Sequence, residues 1–178
     1  MVSIRNCLLS AAVAYALPAV DCAPATTSGA AAPTAVPVAI GGKEASISID
    51  FIALMLPEYD VVHVINNAPV GVSEFAPLLK GEILIPVSGL GSNMNSSDPK
   101  IPKAIFIGGG FSQSEIEEMY EKPIMKTVPW LFPPTATREN GTIVPPTEMI
   151  VGRVKQVFAE HGLVPGYTQK IKPGVWSF

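Results

Sequence analysis

Lys103-Ala-Ile-Phe-Ile-Gly-Gly-Gly-Phe-Ser-Gln-Ser-Glu-Ile-Glu-Glu-Met-Tyr-Glu-Lys122, followed by Pro123-Ile-Met-Lys-Thr-Val-Pro-Trp130, decides the fold. Ala104 to Ile107 is a short unbroken apolar run, the pattern of a strand covered on both faces of a parallel sheet. Gly108, Gly109 and Gly110 free the backbone for a sharp turn. Ser112 with Glu115 three residues later reads as a capping box and starts a helix. Ile116, Met119 and Tyr120 give that helix one apolar face. Pro123 ends it, and Ile124 to Val128 reads as a second buried strand. Strand, glycine turn, helix and strand make a βαβ unit.

Outward from this unit the same alternation continues. Val36 to Ile40 reads as a first strand, Gly41-Gly-Lys-Glu44 as its turn, and Ser46 to Leu56 as a helix stopped by Pro57. Asp60 to Ile65 is a strand, and Asn66-Asn-Ala-Pro69 a turn. Ser73 to Lys80 is a short helix capped by Ser73, and Glu82 to Val87, broken by Pro86, is an edge strand or an extended loop. Ser88 to Pro102 and Phe132 to Pro146 are loops. Thr147 caps a helix whose face carries Ile150, Val151, Val154, Val157, Phe158 and His161, with Gly162 as terminator. Strands alternating with helices predict an α/β three-layer sandwich with a short parallel sheet, Rossmann-like or flavodoxin-like, in strand order 2-1-3-4.

The chain has 178 residues, is 48% hydrophobic and 15% charged, and carries a net charge of −3. Charged residues commonly make up about 25%, so a folded body with a rather neutral surface is expected and a nucleic-acid footprint is not. No apolar stretch reaches the roughly 18 residues of a membrane span, so no stable membrane anchor is expected. Arg5 followed by the apolar Cys7 to Val20 and by Ala23-Pro-Ala25 has the layout of a secretory signal peptide over 1–25. Residues 26–35 read as a flexible Ala/Thr/Pro linker, 36–162 as the α/β domain and 163–178 as an irregular tail. Secretion is the expected localisation, with a cytoplasmic chain as the alternative. Both cysteines, Cys7 and Cys22, fall in the leader, so the body lacks disulfides, a thiol nucleophile and Cys-based metal sites. Asn95-Ser-Ser97 and Asn140-Gly-Thr142 are N-glycosylation sequons in predicted loops.

In open α/β sheets ligands bind beyond the carboxyl ends of the strands. That edge gathers Gly41, Gly42 and Lys43, then Asn66 and Asn67, then Gly108, Gly109, Gly110 and Ser112 as candidate ligand-binding residues, unless the glycines only make a turn. No cofactor is expected. Neither glycine turn matches G-x-G-x-x-G, the second strand ends in two asparagines where a ribose-binding acid belongs, and there is no Walker lysine-serine pair. No metal site is expected from two histidines without a Glu-x-x-His pattern. His63 reads as a core histidine, His161 as a cation suited to a helix end, and Glu115, Glu117, Glu118 and Glu121 as a solvated face. Trp130 and Trp176 read as packing residues. No catalytic residue can be named.

Ala104-Ile-Phe-Ile-Gly-Gly-Gly-Phe111, the acidic helix after it, Val128-Pro-Trp-Leu131 and Leu56-Pro-Glu-Tyr-Asp-Val-Val-His63 together resemble small uncharacterised fungal proteins with a Rossmann-like body. The resemblance covers residues 36–162 and transfers no functional residues. A secretory leader departs from it, because such folds are commonly intracellular. The sequence leaves three readings: an accessory α/β domain binding a small molecule or protein at the strand ends, an unconventional enzyme or accessory protein of fungal specialised metabolism, and a secreted surface-interaction protein.

Overall fold

The computed structural model describes residues 34–133 and 145–177. The proposed leader, most of the linker and the Asn140 sequon lie outside them. Five strands form one sheet: β1 (Val36–Gly41), β2 (Tyr59–Ile65), β3 (Ile105–Ile107), β4 (Trp130–Leu131) and β5 (Val175–Trp176). Their order is β2-β1-β3-β4-β5 and every pairing is parallel. The first four strands therefore lie in the expected 2-1-3-4 order. The helices are α1 (Ala45–Met55), α2 (Ala68–Leu79), α3 (Gln113–Tyr120) and α4 (Thr147–Glu160).

The sheet separates two apolar layers. Val38, Ile40, Val61, Val64, Phe106 and Leu131 pack with Phe51 and Met55 of α1 and with Val151, Val154 and Phe158 of α4. Ala39, Ile65, Ile105, Ile107 and Trp130 pack with Phe75 and Leu78 of α2 and with Ile116 and Met119 of α3. Strand residues alternate between the layers, as pleating requires. One irregularity breaks the alternation: Val38 pairs with Val61, but Ala39 pairs with His63. The extra residue, Val62, shifts the phase of β2, so His63 and Ile65 turn to the α2 side while Val64 joins Val61 opposite. The bulge is what delivers a histidine to α2.

Several boundaries differ from the sequence reading. The apolar Ile124 to Val128 is not a strand; Pro123–Thr127 is a 3₁₀ helix, and the strand is Trp130–Leu131. Ile124 and Thr127 are three apart, the spacing of a 3₁₀ turn, and Thr127 Oγ1 closes it by donating to Ile124 O at 2.6 Å. The Asn66 to Pro69 turn is the start of α2. Asn67 is its N-cap, accepting from Val70 N at 2.9 Å, and Pro69 sits in the first turn, where no N–H is needed. Ser73 lies inside that helix and donates back to Val70 O. Thr147 is the first residue of α4, which has no side-chain cap. Glu82 to Pro86 pairs with no strand, and Val87 lies in a turn closed by Gly89 N donating to Pro86 O at 2.9 Å.

The tail is not wholly irregular. Val175–Trp176 pairs with β4, and Trp130 N donates to Gly174 O at 2.8 Å. Trp176 stacks on His161 at 4.0 Å and meets Phe158 edge-on. Tyr59 Oη donates to Leu163 O at 2.7 Å, and burial pushes that phenol up to about 12, so it remains a donor at neutral pH. The α/β body thus runs through Trp176, beyond the expected limit at residue 162. No period marks a two-residue strand, which is why the sequence did not reveal it.

Candidate functional site

At the carboxyl edge, pairing continues one residue past the strands. Gly42 N donates to Ile65 O at 2.9 Å, and Gly108 N to Gly41 O at 2.8 Å. β1 lies between β2 and β3, so its end is where successive crossovers diverge. Gly41 leaves no room for a side chain: an added Cβ would lie 2.8 Å from Ile107 Cδ1 and 3.2 Å from the Phe111 ring. At Gly42 the same atom would collide with the Ser48 hydroxyl.

Lys43 leaves this turn and reaches the start of α3. Its Nζ donates to both carboxylate oxygens of Glu115, at 2.9 and 3.0 Å, and lies 5.0 Å from the Phe111 ring centre. Its stem runs 3.7–3.8 Å from where a Cβ on Gly110 would be. The expected capping box is present: Glu115 accepts from Ser112 N at 2.7 Å, and Ser112 Oγ accepts from Glu115 N. The Ser112 N–H first, and then Lys43, hold the Glu115 carboxyl below the ordinary carboxylate range. The anion position at this helix start is therefore filled by a carboxylate of the chain itself. The pair remains partly open to water, at 37% and 28% side-chain exposure.

The candidate residues are thus joined by a chain of contacts from Gly41 and Gly42 through Lys43 to Gly110 and Ser112. Gly108 is bonded to Gly41, and a Cβ added to Gly109 would lie 3.6 Å from Pro133 Cγ. Asn66 and Asn67 are exposed at the end of β2 and occupied locally: Asn67 Nδ2 donates to Asn66 Oδ1 while its oxygen caps α2. Glu115 belongs to the site although its spacing resembles a solvated face; its partner lies 72 residues away, with no local signal.

A second polar feature lies inside. His63 Nε2 and Glu74 Oε2 are 2.7 Å apart, and the two residues are 0% and 4% exposed. Glu74 Oε1 accepts from Val87 N at 3.1 Å. A proton on Nδ1 would find no acceptor, so it is assigned to Nε2, which donates to Glu74 Oε2. Nδ1 is then an acceptor, buried and without a partner. Burial, opposed by Glu74, lowers the His63 pKa. His63 is thus a core histidine, with a buried glutamate the sequence reading missed.

Two cavities lie at the other edge of the sheet, beside the start of β1. One, of about 340 Å³, is lined by residues including His161, Tyr167, Gln169 and Lys170. The other, of about 310 Å³, lies between Thr34 to Pro37 and Gly166-Tyr167. Among the described residues, no cluster of three His, Cys, Asp or Glu side chains could hold a metal. Among them, too, no helix is long and apolar enough to cross a membrane.

No family model matches this chain, and no solved structure matches it. It is similar to Kojic acid related protein 6 of Aspergillus oryzae, with 29% identity over 102 residues, 56% of this chain. The match spans 59% of that protein's length. It supports the resemblance to fungal proteins.

Proposed function

We propose that this chain is a ligand-binding α/β protein of fungal specialised metabolism. It holds a small acidic molecule at the ends of β1 and β3. The observation that carries this reading is the Lys43–Glu115 pair, a cation from one strand end bonded to a carboxylate at the helix start of the other. A ligand acid group takes the place of Glu115 on Lys43, with amides of the glycine turn beside it. A partly exposed pair of this kind is worth about 1 kcal/mol or less, so exchange costs the ligand roughly a factor of five in affinity. The similarity to a kojic-acid-related protein favours a small metabolite over a macromolecule. It equally favours the second reading, an unconventional enzyme of such metabolism.

Thermal-shift screening of the full chain against kojic acid, small hydroxy acids, NAD and NADP tests the proposal. Stabilisation by an acidic metabolite, lost in Lys43→Ala, is the expected result, with neither nucleotide bound. Turnover of the bound molecule would move the assignment to the enzyme reading. Stabilisation that survives Lys43→Ala would remove the site.

A further inference from the structure

We infer that Asn95 carries an N-linked glycan, a modification that goes beyond ligand binding and rests on the secretory leader read at residues 1–25. Asn95-Ser-Ser97 lies in the segment covering the edge strand β2. Gly91, at φ +113, is pressed against that strand so closely that a Cβ would lie 2.5 Å from Val62 O. Ser88 Oγ donates to Val64 O at 2.6 Å. Asn93 is buried and fixes the segment internally, donating to Lys100 O and accepting from Lys100 N, each at 2.9 Å. Ser92 Oγ and Lys100 Nζ both donate to Asp60. Ser96 Oγ donates to Asp98 O and accepts from Asp98 N.

Against this bonded background, the two side chains that define the sequon stand apart. Asn95, the last residue of the 3₁₀ helix Ser92–Asn95, is exposed, and so is Ser97. Neither side chain makes a hydrogen bond to the described residues, whereas the side chains of Ser92, Asn93 and Ser96 around them are all engaged. A sugar on Asn95 Nδ2 therefore displaces no hydrogen bond of the fold, whereas Nδ2 of the buried Asn93 is already engaged with Lys100 O. In the transfer, Nδ2 bonds to C1 of the first sugar of a lipid-diphosphate-linked oligosaccharide. The C1–O bond breaks, the lipid diphosphate leaves with the electron pair, and Nδ2 loses a proton. The glycan then stands over the covering of β2, the open flank of the sheet, and hinders edge-to-edge association.

The test is expression of the full chain with its own leader in a secreting filamentous fungus. The product is treated with peptide N-glycosidase in heavy-oxygen water and its peptides are weighed. The expected result is heavy-oxygen aspartate at position 95, absent from Ser97→Ala and retained in Ser97→Thr. The peptide assay on the parent chain does not depend on any variant folding. Bare Asn95 on folded chain from that host, in medium or cytosol, would overturn the inference. Sugar on Asn140 alone would overturn it too, while leaving the leader in place. Neither result bears on Lys43 and the ligand.

Discussion

Replacing Glu74 by Gln changes one oxygen to an amide and leaves shape almost untouched, yet it breaks a buried network. Glu74 accepts at both oxygens, from His63 Nε2–H and from Val87 N–H. A glutamine accepts at only one. If its NH₂ faces Val87, two donors oppose each other. If it faces His63, the imidazole must move its proton to Nδ1, which has no partner. Either way one donor of the network is orphaned, buried on the His63 side and part-buried on the Val87 side, at a cost of about 1–3 kcal/mol. With a urea slope of about 1–3 kcal/mol per molar, the midpoint falls by about 1 M. Trp130 reports the transition, being fully buried and edge-on to Phe75 at 5.7 Å, beside Glu74 in α2. The pH dependence has a defined sign. The native His63 pKa lies below its ordinary value of 6.5, so just below pH 6.5 the unfolded chain binds the proton more readily. Stability from this residue is complete above that pH and is lost as pH falls. In Glu74→Gln the carboxylate that opposes the shift is gone, so the loss extends to lower pH. A Glu74→Gln chain with the parent's urea midpoint and acid profile would refute the pairing.

Other expectations follow from single contacts. Gly91→Ala must hold a φ of +113 with its Cβ against Val62 O and loses about 3 kcal/mol or does not fold. Gly110→Ala meets only the Lys43 stem at 3.7 Å and shifts thermal melting little. Trp176→Ala removes the stack on His161 and the contact with Phe158. It costs about 3–5 kcal/mol by denaturant titration, whereas an unstructured tail would leave stability unchanged.

The fold was legible because strands covered on both faces announce themselves as apolar runs. Asp60 to Ile65 and Ala104 to Ile107 needed little more than that, and Ser112 with Glu115 marked its helix start. Trp130–Leu131 and Val175–Trp176 are too short for any period to emerge. Asn67 was misread because Asn-Ala-Pro serves a turn and a helix cap equally well. The three glycines after β3 illustrate a different gap. None has a positive φ, so the backbone freedom they suggest is not what the structure uses. Gly108 instead lies against β1, where a Cβ would sit 3.1 Å from Gly41 O, and Gly110 lies beneath Lys43. At the site, the strand-end residues followed from topology alone. Glu115 and Glu74 did not, because each is defined by a partner brought in by tertiary packing, and for His63 by one bulged residue.

The most direct test of the ligand reading follows the Lys43 side-chain ammonium by nuclear magnetic resonance. The full chain, with nitrogen-labelled lysine and glycine, is titrated with kojic acid and then with each small hydroxy acid. The account predicts that one of them shifts Lys43 Nζ and the Gly42 and Gly110 amides along one saturating curve, as Glu115 is displaced. Saturating shifts confined to Lys170 and Gly166, beside the cavities at the opposite edge, would contradict it, and so would a Lys43 signal that none of these molecules moves.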